Sequence, residues 1–347
     1  MKSNGAAALP GASTGGRTCG AKAAPVPYSL ERRRTRDVAE QAACLRGWDQ
    51  VYEQLTPGPF AGSFLEIRFR GIQLFRETTS RSVHEAGLMC TGDHAFGVPV
   101  AMQGQGYYCG RPIGGDSVMA MHDGNELDLR APEGFDIVAV SVPVGMLARH
   151  GHDVEHEQIG SALRATPVID GPHRGVGRLR SFLLEVLDTL TRNPALLQHA
   201  AVQTCLQYAL VSRMMQVAAW PTGQGRAVPS PTARHAIVAR AQEYMREHVE
   251  QPLTVEDLCR VLGVSRRTLQ YSFQEVLQIN PVGYLRAMRL NGARRMLRCA
   301  DPERATVQDI AARWGFWHLS HFASDYRRMF GERPSETLRH AAPPPAA

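Results

Sequence analysis

The chain has 347 residues, 44% apolar and 21% charged, which sets an expectation of two domains with a substantial core and excludes wholesale disorder. The longest apolar stretch, 135–148, is broken by Asp136, Ser141, Pro143 and Gly145, so no membrane span is expected. The opening MKSNGAAALPGASTGG lacks the apolar core of a secretory signal, and the seven cysteines form no C-x-x-C pair, which points away from a disulfide framework or zinc ribbon and toward a reducing cytosol.

The net charge of +6 is unevenly spread. Residues 1–36 hold seven Lys or Arg against one acid, residues 37–231 hold 15 bases against 20 acids, and residues 232–347 hold 17 arginines against 12 acids. A basic terminal third behind an acidic middle fits a polyanion-binding module joined to a module of different purpose; a chance surface asymmetry is the plain alternative.

In chain order, residues 1–36 are rich in Gly, Ala and Pro and end in Arg32-Arg33-Arg34-Thr35-Arg36. They read as a disordered basic tail, either merely solvated or touching nucleic acid. Residues 37–165 have the texture of short strands. The segments 63–69, 71–77, 97–102, 107–109, 117–121, 126–129 and 136–142 are punctuated by Gly, Pro, Asp or Asn, the pattern of a sandwich or small barrel. His122-Asp123-Gly124-Asn125 carries an Asp-Gly hairpin signal.

The period then changes. Leu179, Phe182, Leu183, Val186, Leu187 and Leu190 predict an amphipathic helix over 177–192. After Asn193-Pro194 a second, more apolar helix is expected over 195–219. The pair, within a segment 166–219, would pack antiparallel and leave apolar surface for a second subunit. Residues 220–233 contain three prolines and two glycines and read as a linker.

The last hundred residues contain a repeat. Thr254-Val255-x-Asp257-Leu258 aligns with Thr306-Val307-x-Asp309-Ile310 at an offset of 52, and Gly263-Val264 with Gly315-Phe316. One residue later Leu269 meets Phe322, Phe273 meets Tyr326, Pro281 meets Pro334 and Leu285-Arg286 meets Leu338-Arg339. Each unit reads as a short helix (254–262; 306–314) started by Thr-x-x-Asp, a glycine turn, and a second helix. Ser265 is a good cap for the helix 266–277, and His318 a weaker one for its counterpart. Two helix-turn-helix units in an arginine-rich setting point to DNA.

Residues 234–340, with Ile310-Ala311-x-x-x-Gly315-Phe316, Ser320-His321-Phe322, Tyr326-Arg-Arg-x-Phe330-Gly331, Pro334-Ser335 and the long helix Pro281–Arg298, resemble the DNA-binding domain of the AraC/XylS family of bacterial transcription regulators. That resemblance implies base-facing positions at Arg267, Gln270 and Tyr271. Arg suits guanine and Gln suits adenine, whereas for Tyr271 partial burial is the alternative. Ser265, Arg266 and Thr268 would contact phosphate. In the second motif the implied positions are His318, Ser320, His321, Ala323 and Ser324, whose short side chains weaken direct readout, with Arg327 and Arg328 on phosphate. Residues 341–347 form a tail. The segment Gly315–Leu338 is similar to a subgroup containing ethanolamine-operon regulators, whose effector is a cobalamin.

The resemblance also implies a cupin-like sensory half, so the expected fold class is α+β: a cupin-like β-barrel or sandwich, a helical dimerisation segment, and an all-α domain. Expected partners are double-stranded promoter DNA, RNA polymerase, an unidentified small-molecule effector and a second copy of the chain, in the bacterial cytoplasm. Activator is the expected sign, and no enzyme activity is expected. The alternative is a cupin-type metal-dependent or small-molecule-processing protein with a DNA-binding tail. Against it, His84, His94 and His122 are separated in sequence, and His150, His152 and His156 follow the strands in a polar stretch that reads as an exposed loop or, less simply, a metal site. No G-x-S-x-G, H-E-x-x-H or P-loop pattern occurs. No metal or cofactor is therefore expected.

Overall fold

A computed structural model describes residues 27–89, 92–122, 125–148, 167–170, 173–218, 233–248, 253–316 and 318–341. The strands are β1 (Tyr28–Thr35), β2 (Trp48–Gln54), β3 (Gly62–Phe69), β4 (Ile72–Thr79), β5 (Val83–Met89), β6 (Asp93–Gln103), β7 (Gly106–Tyr108), β8 (Arg111–Ile113), β9 (Ser117–His122), β10 (Glu126–Ala131), β11 (Glu133–Pro143) and β12 (Val168–Asp170). The helices are α1 (Val38–Ala42), α2 (Val144–Ala148), α3 (His173–Arg192), α4 (Ala200–Ala218), α5 (Ala233–Glu247), α6 (Val255–Leu262), α7 (Arg266–Leu277), α8 (Pro281–Cys299), α9 (Val307–Arg313), α10 (Leu319–Phe330) and α11 (Pro334–Arg339).

The strands form two antiparallel sheets, one in the order β1-β3-β4-β11-β6-β9-β12 and one in the order β2-β5-β10-β7-β8. Alternation along β11 shows how they stack. Ile137 and Ala139 face the inner layer between the sheets, while Val138, Val140 and Val142 face the opposite side. That outer side is covered by α3 and α4 through Leu179, Leu183, Val186, Leu187, Leu190, Leu210 and Met214. A strand buried on both faces has no polar alternation, which is why 135–142 reads as one apolar run.

Three expectations need correction. Residues 28–35 are not tail: β1 pairs antiparallel with β3 from Tyr28↔Phe69 to Thr35↔Gly62. Tyr28 and Leu30 pack on the core, while Arg32, Arg33 and Arg34 stand exposed at the sheet's outer edge. Charge is tolerated there because an edge strand needs protection from further pairing. Residues 1–26 lie outside the described residues. Second, 122–125 does not close a hairpin, since β9 pairs with β6 and β12 while β10 pairs with β5 and β7; Asp123 and Gly124 themselves are outside the described residues. Third, the helices after the strands spend their apolar stripe on their own sheet. On α3 and α4 the large apolar side chain left exposed among the described residues is Tyr208, at 65%.

The second helix is also shorter than expected, because Pro194–Gln198 forms a 3-10 turn before α4 begins at Ala200. The expected linker lies almost wholly outside the described residues, as do His150, His152, His156 and the tail beyond Ala341. No described helix is long and apolar enough to cross a membrane.

The helical domain has two cores joined by one helix. Tyr284, Leu285 and Met288 of α8 enter the first, with α5, α6 and α7; Ala287, Leu290, Ala293 and Leu297 enter the second, with α9, α10 and α11. Leu55, just beyond β2, is buried in the first of these cores. The helical domain is therefore docked against the β-domain.

Candidate nucleic-acid interface

Each motif is started by a threonine. The Thr254 hydroxyl accepts from the Asp257 main-chain N–H at 3.2 Å, and the Asp257 carboxylate accepts from the Thr254 N–H at 3.1 Å. Asp thus completes a capping box usually made with Glu, and the Thr254 hydroxyl, donating to the carboxylate at 2.7 Å, together with the Thr254 N–H holds that carboxyl below the usual range. Thr306 repeats the cap, accepting from the Asp309 N–H at 3.1 Å. The turns use Gly263 at φ 67° and Gly315 at φ 76°, a left-handed conformation that a Cβ would strain.

In α7 the Ser265 hydroxyl accepts from the Thr268 N–H at 3.1 Å and meets its hydroxyl at 2.8 Å, so both residues fasten the start of the helix. Leu269, Phe273, Val276 and Leu277 point inward. Arg266, Arg267, Thr268, Gln270 and Tyr271 are exposed. Tyr271, 56% exposed, is not buried as its alternative reading had it; the Arg267 guanidinium lies over its ring at 5.3 Å. Arg266 reaches back to Glu256 at 3.1 Å.

In α10 the cap residue His318 makes no side-chain cap bond, as expected of a weaker cap. Phe322, Tyr326, Met329 and Phe330 are buried. Ser320, His321, Ser324, Arg327 and Arg328 are exposed, and Ala323 is half-buried. Asp325 binds Arg328 at 2.9 Å and also Arg286 of α8, which ties this face to the connecting helix. That helix has 19 residues, about 28 Å at the ~1.5 Å rise of an α-helix. Gly292 on α8 is where the Trp314 ring sits: a Cβ there would meet the ring at 2.1 Å.

In the β-domain, sequence separation of the histidines is misleading. His94 and His122 are cross-strand partners with ring centroids 6.2 Å apart, while His84 lies apart on β5. Among the described residues no group of three or more His, Cys, Asp or Glu has a metal-holding arrangement. Between the sheets, Glu77 accepts from Gln41 at 2.9 Å and from the Tyr52 hydroxyl at 3.2 Å. Burial pushes its carboxyl up to about 7 and raises that of neighbouring Glu85 well above the usual range.

Comparison with known proteins bears on the helical domain. A model described as "Helix-turn-helix domain" matches residues 258–340. The "Probable thc operon regulatory protein" of Rhodococcus erythropolis is 40% identical over 165 residues, covering 47% of this chain and 49% of that one. The "XylDLEGF operon transcriptional activator" of Pseudomonas putida is 32% identical over 100 residues, covering 29% and 31%. A solved structure described as a probable AraC family transcriptional regulator from Rhodopseudomonas palustris is 37% identical, covering 31% of this chain and 99% of that one, with a TM-score of 0.29. The helical domain of this chain belongs to the AraC/XylS family. It spans about half the length of the first of these curated relatives and about a third of the second.

What sequence reasoning missed is the set of residues joining this helical domain to the β-domain. Gln54 Nε2 donates to the Met329 carbonyl at 2.8 Å, and the Gly58 N–H donates to the same oxygen at 3.0 Å. Arg294 pairs with Asp37, and with Glu332 at 2.8 Å. Asp128 of β10 is held by His84 at 2.9 Å and by His235 of α5 at 2.6 Å. Burial alone would raise the Asp128 carboxyl, but the hydrogen bonds and charge of His235 and His84 bring it well below its usual value. One signal was available: Asn291 is a buried polar residue between Leu290 and Ala293 on an otherwise apolar face.

Proposed function

We propose that this chain is a ligand-responsive activator of transcription that binds double-stranded promoter DNA with two helix-turn-helix motifs per monomer. The observation that supports this is the pair of equivalent motifs, each presenting an exposed helix face, held on one 19-residue helix. A span near the ~34 Å of one DNA turn lets both helices enter successive major grooves on one side of the duplex. Arg267 and Gln270, with Tyr271, read bases in the first groove. In the second, His318, Ser320, His321 and Ser324 lie along the base edges and backbone, while Arg327 and Arg328 grip phosphate. Ser265, Arg266 and Thr268 serve the backbone beside the first groove.

The two-sheet domain is the cupin-like sensory half, and RNA polymerase is the partner through which the activator acts in the bacterial cytoplasm. The chain works as a homodimer. With the inner stripes of α3 and α4 spent on the sheet, the outer face of α4 around Tyr208 is the surface left for pairing. The relatives named above carry regulatory rather than enzymatic descriptions, in keeping with a protein that is not an enzyme.

Selection of the full chain on a randomised duplex pool at low salt tests the reading. The expected product is a bipartite site with two elements about 10 bp apart, centre to centre. Failure to enrich any sequence overturns it, and a single enriched element per monomer overturns the two-groove geometry.

A further inference from the structure

The cavity between the two sheets is about 60 Å³, far below the ~300–1,000 Å³ of typical small-molecule sites. Tyr52, Phe75, Phe96 and the methionines of β9 fill the space. A cleft of about 570 Å³ lies elsewhere, between the five-stranded sheet and the helical domain. Val51, Glu53 and Leu88 of β2 and β5 line one side, and Arg295 of α8 with Trp314 lines the other.

Three buried polar atoms on this lining have no hydrogen-bond partner: Glu53 Oε2, Arg295 Nη1 and Trp314 Nε1. Glu53 is 6% exposed, and its carboxylate keeps an interaction with the Tyr284 hydroxyl. Buried polar groups in folded proteins are nearly always satisfied, so three bare ones around one cleft demand an explanation. These three atoms are also sorted by kind: the one on the sheet side is an acceptor and the two on the helical side are donors, since guanidinium and indole N–H groups cannot accept, while Glu243 of α5 adds a carboxylate to the helical lining. Beside them, Val51 and Leu88 are each 47% exposed although apolar.

We infer that this interdomain cleft binds a small amphoteric molecule, with a cationic or N–H donor head on Glu53, a carboxylate on Arg295 and Trp314, and an apolar body across Val51 and Leu88. A head of either sign alone would leave one side bare. Such a ligand contacts both domains at once, so it binds the docked arrangement more tightly than an undocked one and shifts the population toward it. The inference rests on the ligand-responsive reading above and gives that response a site and a chemical class.

The test uses the full chain and a panel of free protein amino acids with 4-aminobutyrate, with acetate and butylamine as one-headed controls, read by thermal shift and then calorimetry. The expected result is a rise of a few degrees in melting temperature with at least one amphoteric compound and none with the controls. Glu53→Gln and Arg295→Gln should each weaken that compound about tenfold or more. Ala86→Leu, which puts a branched apolar side chain into the cleft, should abolish binding.

The inference is overturned if no amphoteric compound binds, if a one-headed control binds as tightly, or if a hit keeps its affinity in all three variants. DNA selection separates the two readings. A chain that enriches a bipartite site but binds no amphoteric compound loses the cleft proposal and keeps the regulator; the opposite result removes the regulator and keeps the cleft as a binding site.

Discussion

Asn291 of the helical domain closes a reciprocal pair with the main chain of Gln54 in the β-domain. The Gln54 N–H donates to Asn291 Oδ1 at 3.1 Å, and Asn291 Nδ2 donates to the Gln54 carbonyl at 3.0 Å. A side-chain amide thus does for the end of β2 what a neighbouring strand would do, and it does so from the helix that joins the two DNA-binding motifs.

Asn291→Leu fits the apolar neighbourhood but strands both Gln54 groups in a buried interface. An unsatisfied buried donor or acceptor costs about 1–3 kcal/mol, so a loss of roughly 2–4 kcal/mol is expected. It should appear in scanning calorimetry as separation of the β-domain and helical-domain transitions. A single transition at the wild-type temperature would show that this pair does not couple the domains.

Asp128→Asn removes the charge and one of the two oxygens that meet His84 and His235. The folded carboxyl is depressed, so its contribution is fully present above the unfolded value near pH 4 and is lost as pH falls below that toward the folded value. The variant should therefore be less stable by about 2 kcal/mol at pH 5, with a flatter acid limb below pH 4. Denaturant titrations across this range check the sign. A wild-type-like acid limb would refute the assignment.

Glu77 runs the other way. Burial raises its carboxyl to about 7, so the folded state holds a proton that the unfolded chain releases, and stability falls as pH rises from about 4.5 to 7. Glu77→Gln removes the ionisation, and the Tyr52 hydroxyl, which donates to Glu77 now, can accept from the new amide. The variant should be more stable than wild type by roughly 1–3 kcal/mol at pH 8 and nearly equal at pH 5. Equal stability at both values would show that Glu77 ionises freely.

The two recognition helices should contribute unequally to DNA binding. Arg267→Ala should cost roughly 1–3 kcal/mol on the selected site and flatten discrimination at one base pair. Arg328→Ala should weaken all sequences alike and lower the salt slope by about one. Ser324→Ala should change little. The asymmetry fails if scrambling the second element of the site costs as much as scrambling the first, or if Ser324→Ala erases specificity.

The helical domain was legible because its signals are local. Thr254, Gly263, Ser265 and Pro281 each sit where a cap, a turn or a first helical turn requires them, and the second copy repeats three of the four. Seven of the twelve described strands were legible too, but β2, β5, β8 and β12 fell outside the expected segments, and β1 was hidden by its arginines, because the chain pattern does not say which strand is an edge. Pairing was not legible. Asp123-Gly124 is a hairpin sequence between strands that belong to different sheets, a choice set by burial on both faces of β9 and β10 rather than by the turn. The contacts from Asn291, Arg294 and His235 join positions over a hundred residues apart, and no local periodicity carries such information.

Because α8 belongs to both cores, its length acts as a ruler. One residue inserted between Met288 and Ala293 would turn the second motif by about 100° around the helix axis and advance it by about 1.5 Å. The second recognition helix would then face away from the side of the duplex engaged by the first. Substitutions on the outer surface of α8 are tolerable, whereas a single-codon insertion or deletion in it is not, and length invariance rather than sequence invariance is the constraint this helix places on descent.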